Sequence, residues 1–378
     1  KNVNFFDADV CSYYRLSKSV VAYGRMAYDN FNGSKMAGSM FVPTSELMPF
    51  DLIGYSEDMA GDKHAETFNA TGAVGWSVYR SLSIGARVDY TARTYAKHRD
   101  LRHTNTLMNL DTKVNALLSF NGNGGLGAGF VYRRRTETML FDVYGTTDRI
   151  YSTLVDYANH HGEVETFGVE GFTDGSNEQP LLSEYVGFNA QGKWKGLFAD
   201  VAYTHRTGYY GKRSQYTASH ERHHGDAFSA HLRYDLPHVV SHLVWIDANI
   251  STERLTAERE NYRRVTSGNG GAATYYEYYE PTKMSDKTQT QGSLSVNAYW
   301  MPSGEIFLWH VNGGIAYWTR HQTAYVFPDV YTEKPHVLMP FVEAKRGLLA
   351  SRSSLLSFQM GCAVLTGSVE QIAAHAKV

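Results

Sequence analysis

The pentad His220-Glu221-Arg222-His223-His224 has the spacing of a zinc peptidase, in which two imidazoles four residues apart hold the metal and the carboxylate between them activates its water. That chemistry needs about two turns of helix to bring both rings to one side. Here Gly225 follows the pentad directly, no apolar 3.6-residue period precedes it, and strand-like alternation resumes at Asp226. The spacing therefore predicts a polar, solvated link and excludes the peptidase. The same imidazoles have a second use. His220, His223 and His224, joined by His160 and His161 from the stretch 158-ANHHGEVE-165, are candidates for capturing a metal ion or haem at a surface, because neutral imidazole ligates zinc, copper, nickel and iron. Ser219-His220 and Ser241-His242 are sequence neighbours, and neighbours on a strand point to opposite faces and cannot share a proton. No catalytic residue and no resident cofactor is expected.

The elements that would position such groups are strands. In 80-RSLSIGARVDYTARTYAK-97, Leu82, Ile84, Ala86, Val88, Tyr90 and Ala92 fall on one face and Ser83, Gly85, Arg87, Asp89, Thr91 and Arg93 on the other. The same split recurs in about fourteen segments, near 7–17, 19–31, 64–78, 80–95, 107–120, 126–140, 183–193, 196–210, 226–236, 240–256, 287–301, 305–321, 335–348 and 353–366. Many run to about 12–15 residues, too long for a sandwich, where strands average about 5–6, and long enough for a tilted membrane strand, which needs about 9–11. Connections alternate between short turns and long links at 32–63, 96–106, 141–182, 211–225, 257–286 and 322–334, the pattern of an outer-membrane barrel with its long loops outside. The fold class expected is all-β: a transmembrane antiparallel β-barrel filling 1–378 as one domain. The first and last segments then both end on the outer side, which predicts a further strand before Lys1 and another after Val378, sixteen in all; Lys1 reads as the start of a trimmed chain.

Composition agrees. A net charge of −2 and a pI near 6.8 leave no basic face for nucleic acid. Tyr, Phe and Trp make 13% of the chain, and Tyr and Trp favour membrane interfaces. Cys11 and Cys362 sit at opposite ends and read as two free thiols, with a bridge between first and last strands as the alternative.

On this phase the inward charges include Arg25, Asp29, Arg87, Asp89, Arg93, Asp111, Lys113, Arg133, Arg135, Glu137, Asp200, Arg206, Arg233, Asp235, Asp247, Glu253, Glu343 and Lys345. Mixed signs suit cross-strand ion pairs that stiffen an interior better than a one-sign selectivity ring. Arg134 falls on the opposite face, placed to snorkel to the interface or to meet a lipopolysaccharide phosphate. Tyr275, Tyr276, Tyr278 and Tyr279 lie in the 257–286 link, either as a contact surface for a partner or as a hairpin whose rings stack on each other. The links 32–63 and 141–182 carry Phe41, Phe50, Leu140, Phe141, Ile150, Tyr151, Leu154 and Phe167, enough apolar content to fold into the barrel and plug it.

The stretches 23-YGRMAYDNF-31, 48-MPFDLIGY-55, 100-DLRHTN-105, 132-YRRRTETMLFDVYGTTDRIY-151 and 208-GYYGK-212 resemble a family of Bacteroidota outer-membrane barrels without an assigned activity. The resemblance implies the outer membrane of a Gram-negative bacterium, contact with its lipid and lipopolysaccharide, and a partner such as a TonB-dependent receptor or surface lipoprotein. It supplies no catalytic residue. The functional expectation is a non-enzymatic pore or accessory subunit in uptake of a small solute, with metal or haem as one candidate. The alternatives are a non-conducting scaffold in a membrane complex and, third, an outer-membrane hydrolase assembled from distant strands.

Overall fold

The computed structural model describes residues 2–120, 124–146, 148–168, 171–214, 217–237, 242–267, 273–301, 308–350 and 355–375. Among them, in chain order, run β1 (Val3–Arg15), β2 (Val20–Met36), β3 (Asp51–Gly54), β4 (Gly61–Ser77), β5 (Leu82–Lys97), β6 (Arg102–Phe120) and β7 (Gly124–Asp142). There follow β8 (Ser152–Ala158), β9 (His161–Thr166), β10 (Gln179–Trp194), β11 (Leu197–Gly211), β12 (Ser219–Asp235) and β13 (His242–Arg259). The chain continues through β14 (Tyr262–Ser267), β15 (Ala273–Tyr278), β16 (Thr282–Trp300), β17 (Trp309–Val326), β18 (Asp329–Ala350), β19 (Leu355–Ala363) and β20 (Thr366–His375).

One antiparallel sheet takes the order β1-β2-β4-β5-β6-β7-β10-β11-β12-β13-β16-β17-β18-β19, with β20 also on β18. β19 and β20 lie end to end on β18 and keep one register across their junction, Ala363 opposite Phe341 and Thr366 opposite Leu338. They are parted at Val364-Leu365, where the facing Pro340 accepts from the Val364 N–H but has no N–H to return. The sheet thus has fourteen strand positions, one for each alternating segment read from the sequence.

The strands run longer than expected at the end where β2 meets β4. The links expected at 96–106, 211–225 and 322–334 shrink to residues 98–101, 212–218 and the Phe327-Pro328 turn. Apolar alternation stops before these strands do, because beyond the apolar belt the outward face no longer needs it. Three long connections remain: residues 37–60, 143–178 and 260–281.

Cross-strand register separates the two faces. Outward rows read Val114, Phe130, Phe188, Tyr203, Phe228 and, two residues lower, Ala116, Ala128, Ala190, Val201, Ala230, Ile250. On β6 this apolar belt spans Leu110–Phe120, about the 9–11 residues a tilted membrane strand needs. Above it the outward residues turn polar, at Glu184, His205, Asp226 and Arg254.

The sheet is rolled, since residues 39–50 contact side chains of β4, β6, β7, β11, β13 and β16 together. Among the described residues no ladder joins β1 to β19 or β20, and β1 is exposed on both faces. Cys11 and Cys362 are free and exposed.

Candidate functional site

The upper interior of the roll is filled by its own connections. Residues 37–60 enter it, and β3 pairs with β8, which pairs with β9, to form a small sheet inside the large one. Met40, Phe41, Phe50, Leu52 and Met59 pack there with Val155, Tyr157, Ala158 and Phe172 against wall residues that include Leu101, Met139, Phe141, Leu181 and Tyr210. Phe50 is fully buried and its ring centroid lies 5.4 Å from Phe41, 5.0 Å from Phe172 and 5.0 Å from Tyr210.

A main chain with few internal ladders must find other partners for its carbonyls when buried. The wall provides them. Lys63 Nζ donates to Ser39 O (2.7 Å), Asn105 Nδ2 to Met40 O (2.8 Å), Arg206 Nη1 to Leu47 O (2.7 Å), Lys287 Nζ to Met48 O (2.8 Å) and Lys97 Nζ to Met59 O (3.1 Å). In the other direction, the Val42 N–H donates to Glu137 Oε1 at 2.7 Å.

One row of directly opposed inward residues, Arg133, Tyr185, Arg206, Gly225, Leu255, Lys287 and Gln322, crosses from β7 to β17 at this level. Into it the plug extends Glu46, which pairs with Arg133 and lies 3.7 Å from Arg135, while Arg206 pairs with Glu253 at 3.1 Å. Burial alone would raise the Glu46 carboxyl, but Arg133, Arg135 and Arg206 outweigh it and hold it below the usual range. The mixed signs form an ion-paired latch between plug and wall.

All eighteen charges expected to face inward do so: Arg25, Asp29, Arg87, Asp89, Arg93, Asp111, Lys113, Arg133, Arg135, Glu137, Asp200, Arg206, Arg233, Asp235, Asp247, Glu253, Glu343 and Lys345. Of these, Arg133, Arg135, Glu137, Arg206 and Glu253 meet the plug directly or through Glu46. Several of the others pair along the wall: Arg25 with Asp9 (2.5 Å), Arg87 with Asp89 (2.6 Å), Arg233 with Asp235 (2.7 Å) and Asp247 with His231 (3.1 Å). Arg134 faces outward, 3.9 Å from Glu184.

The expected histidine site is not assembled, and the expected polar loop is a strand. β12 begins at Ser219, so His223 and Glu221 point inward and His224 outward. His220, at a register shift, is buried against Phe172 and Tyr210 with Nδ1 3.2 Å from Tyr262 Oη. His160 is exposed on the β8–β9 turn, and His161 stacks on Tyr331 at 3.8 Å. Among the described residues no group of three His, Cys, Asp or Glu side chains is placed to hold a metal.

Sequence reading missed a relay. Ser183 Oγ lies 2.9 Å from His223 Nε2, and His223 Nδ1 lies 3.0 Å from Glu221 Oε1. Ser183 and His223 stand on β10 and β12, and they touch across β11 because the residue between them is Gly208, where a Cβ would come within 2.3 Å of His223 Nε2. The order is that of a nucleophile, a base and its orienting acid. Yet Ser183 is 2% exposed, the His223 and Glu221 side chains 0%, and Arg206 Nη2 donates to Ser183 Oγ at 3.0 Å. Sealed in this way, Ser183, Arg206, His223 and Glu221 fasten β10, β11 and β12 to one another.

The four tyrosines expected as a contact surface, Tyr275, Tyr276, Tyr278 and Tyr279, belong to β15 and the residue after it. Tyr276 and Tyr278 face Tyr262, with centroids at 5.4 and 6.0 Å, and the Tyr278 ring also carries Arg213 at 3.8 Å. Tyr275 and Tyr279 remain exposed.

Below the plug the roll encloses a chamber of about 710 Å³. Its lining mixes the amides of Asn115, Asn189, Gln191, Asn249 and Gln291 with apolar Val131, Trp318, Val337 and Met339, and includes Lys113, Asp200 and His231. Ser45 and Glu46 of the plug share a smaller cavity with Ala202, Ser229, Ser251 and Gln291 of the chamber wall.

The chain belongs to DUF6850, a family of unknown function whose profile matches residues 1–363. No curated protein matches it. Solved structures similar to this DUF6850 chain include the alcaligin outer-membrane receptor FauA of Bordetella pertussis, at 7% identity and TM-score 0.41 over 98% of this chain and 67% of that one. The outer-membrane transporter YddB of Escherichia coli gives 6% and 0.34 over 98% and 68%. The RagAB peptide importer gives 8% and 0.32 over 97% of this chain and 47% of that one. These likenesses are too remote to carry a functional argument, which rests on the geometry.

Proposed function

We propose that this DUF6850 chain forms a closed β-barrel in the outer membrane of a Gram-negative bacterium and takes part, without enzymatic activity, in uptake of a small solute. The carrying observation is the division of its faces: apolar outward rows about as tall as a bilayer core, over an inward face of ion pairs, amides and a chamber. In hydrocarbon each unpaired backbone group costs several kcal/mol, so the edges at β1 and at β19–β20 have to be satisfied there. The plug makes the resting state closed. Passage then requires residues 37–60 to leave the latch, and a partner such as a TonB-dependent receptor or surface lipoprotein is the natural source of that work. The filled upper interior also favours a second reading, a non-conducting scaffold within a membrane complex. A surface role in metal or haem uptake would need ligands from such a partner, since the five candidate imidazoles are dispersed.

Planar-bilayer recording separates the readings. A silent wild type that conducts when the latch is cut by Arg135→Ala with Lys287→Ala supports the plugged conduit. Silence in every variant, with co-purification of a receptor from native membranes, supports the scaffold. A protein that stays soluble without detergent overturns both.

A further inference from the structure

Another cavity, of about 510 Å³, lies beside the latch, with Glu46, Lys287 and Gln322 in its lining, between the plug and the wall made by β16, β17, β18 and β20. It is separate from the chamber below. Its position follows from the small inner sheet: Asp51 and Asp156 are directly opposed on the β3–β8 ladder, so their side chains share one side of that sheet, and both line the cavity.

The two carboxylates are unequally served. Asp51 accepts from Ser39 Oγ at 2.6 Å and from the Leu52 N–H at 2.7 Å. Asp156 is 8% exposed; its carboxylate accepts from the His160 N–H and has the His160 ring 3.8 Å from Oδ2, while its Oδ1 has no hydrogen-bond partner. The ammonium of Lys287, whose charge both carboxylates feel, is already committed to the carbonyls of Met48 and Pro49. Burial pushes both carboxyls up, Asp51 to about 6, and the charge of Lys287 offsets this only in part; Arg320, the other cation lining the cavity, is bound to Gln289 at 2.8 Å.

We propose that this cavity binds a small solute through a protonated amine, which donates to the unpartnered Asp156 Oδ1 and neutralises the Asp51–Asp156 pair. The shape and chemistry fit that class. A volume near 510 Å³ falls in the range of small-molecule sites, roughly 300–1,000 Å³. An alkylammonium brings three N–H donors on one charge, matching a pair of carboxylates with an open acceptor. Phe41 and Phe50 line the same space and give an alkyl stem apolar contact. The described residues offer no third side chain that would make the pair a metal site. Because the cavity is bounded by plug residues on one side and wall residues on the other, the bound amine would bridge the two. This site requires neither conduction nor a membrane orientation, so it can fail while the barrel reading stands.

The test is titration calorimetry of the detergent-folded full chain at pH 7.5 with cadaverine, spermidine, L-lysine amide and L-arginine, and with 1-pentanol as the uncharged control. The expected result is saturable one-to-one binding of at least one amine, none of pentanol, and affinity at least tenfold weaker in Asp156→Asn. Asp58→Asn, which removes an exposed carboxylate paired with Arg149, should leave it unchanged. Should Asp156→Asn fail to fold, Asp51→Asn has to produce the same weakening. Absence of saturable binding by all four amines, undiminished binding in the folded Asp156→Asn or Asp51→Asn protein, or binding of Ca²⁺ in place of the amines would each overturn the proposal.

Discussion

Phe50 is the residue whose loss should unseat the plug without dismantling the wall. Its side chain is fully buried and meets three aromatic rings, two on the plug side and Tyr210 on β11. Phe50→Ala removes that burial and leaves a cavity among rings already committed to each other, a change that costs about 3–5 kcal/mol in well-packed interiors. The strand ladders do not depend on it, so the cost falls on seating of residues 37–60. At about 1.4 kcal/mol per tenfold, the unseated population should rise roughly a hundred- to few-thousand-fold. Phe50→Leu keeps most of the buried area and should cost only about 1 kcal/mol. Limited proteolysis of detergent-folded protein reads this directly: cleavage within 37–60 should become fast in Phe50→Ala and stay near wild type in Phe50→Leu, while far-UV circular dichroism remains that of an intact sheet. In bilayers the same variant should show openings that wild type lacks. Unchanged cleavage and unchanged conductance, with the sheet intact, would refute the view that this aromatic cluster holds the plug.

Three further outcomes follow from the same geometry. Gly208→Ala should lower the heat resistance of the folded sheet by about 2 kcal/mol or more, because its Cβ would meet Leu182 O at 2.1 Å as well as His223, and a variant as stable as wild type in thermal unfolding would contradict the Ser183–His223 contact across β11. Ser183 should resist fluorophosphonate labelling in the plugged protein, as its hydroxyl is sealed; stoichiometric labelling found by mass spectrometry would revive the hydrolase reading. Asp51 sets a pH dependence: its carboxyl is raised by burial from an ordinary 3.8 to about 6, so seating is favoured while it is protonated and weakens as pH rises through that window, by no more than about 3 kcal/mol. Proteolysis of 37–60 should therefore be slower at pH 4.5 than at pH 7.5, and Asp51→Asn should flatten the difference; an equal slope in the variant would assign the effect elsewhere.

The strands were legible because the two faces of each differ chemically for about eleven residues, and that contrast survives in a single sequence as a period of two. It placed all fourteen strand positions and put Arg25, Arg87, Arg133, Arg206 and Glu343 on the inward face. The contrast fades above the apolar belt, where outward residues such as Arg222, His224 and Asp226 are as polar as inward Glu221 and His223. For that reason the upper part of β12 read as a loop and its histidines as a surface cluster. The latch was illegible for a different cause. Lys63, Lys97, Asn105 and Lys287 hold the plug through main-chain carbonyls, and every residue has one, so no side-chain type at positions 39, 40, 48 or 59 announces the contact. What the sequence does carry is the complement: a lysine or asparagine on the inward face near the outer end of its strand, at a place where a charge without a carboxylate neighbour has to be met by some other acceptor. The charge of Glu46 is visible in the sequence, but it gains meaning only once β7 has brought Arg133 and Arg135 to the same level.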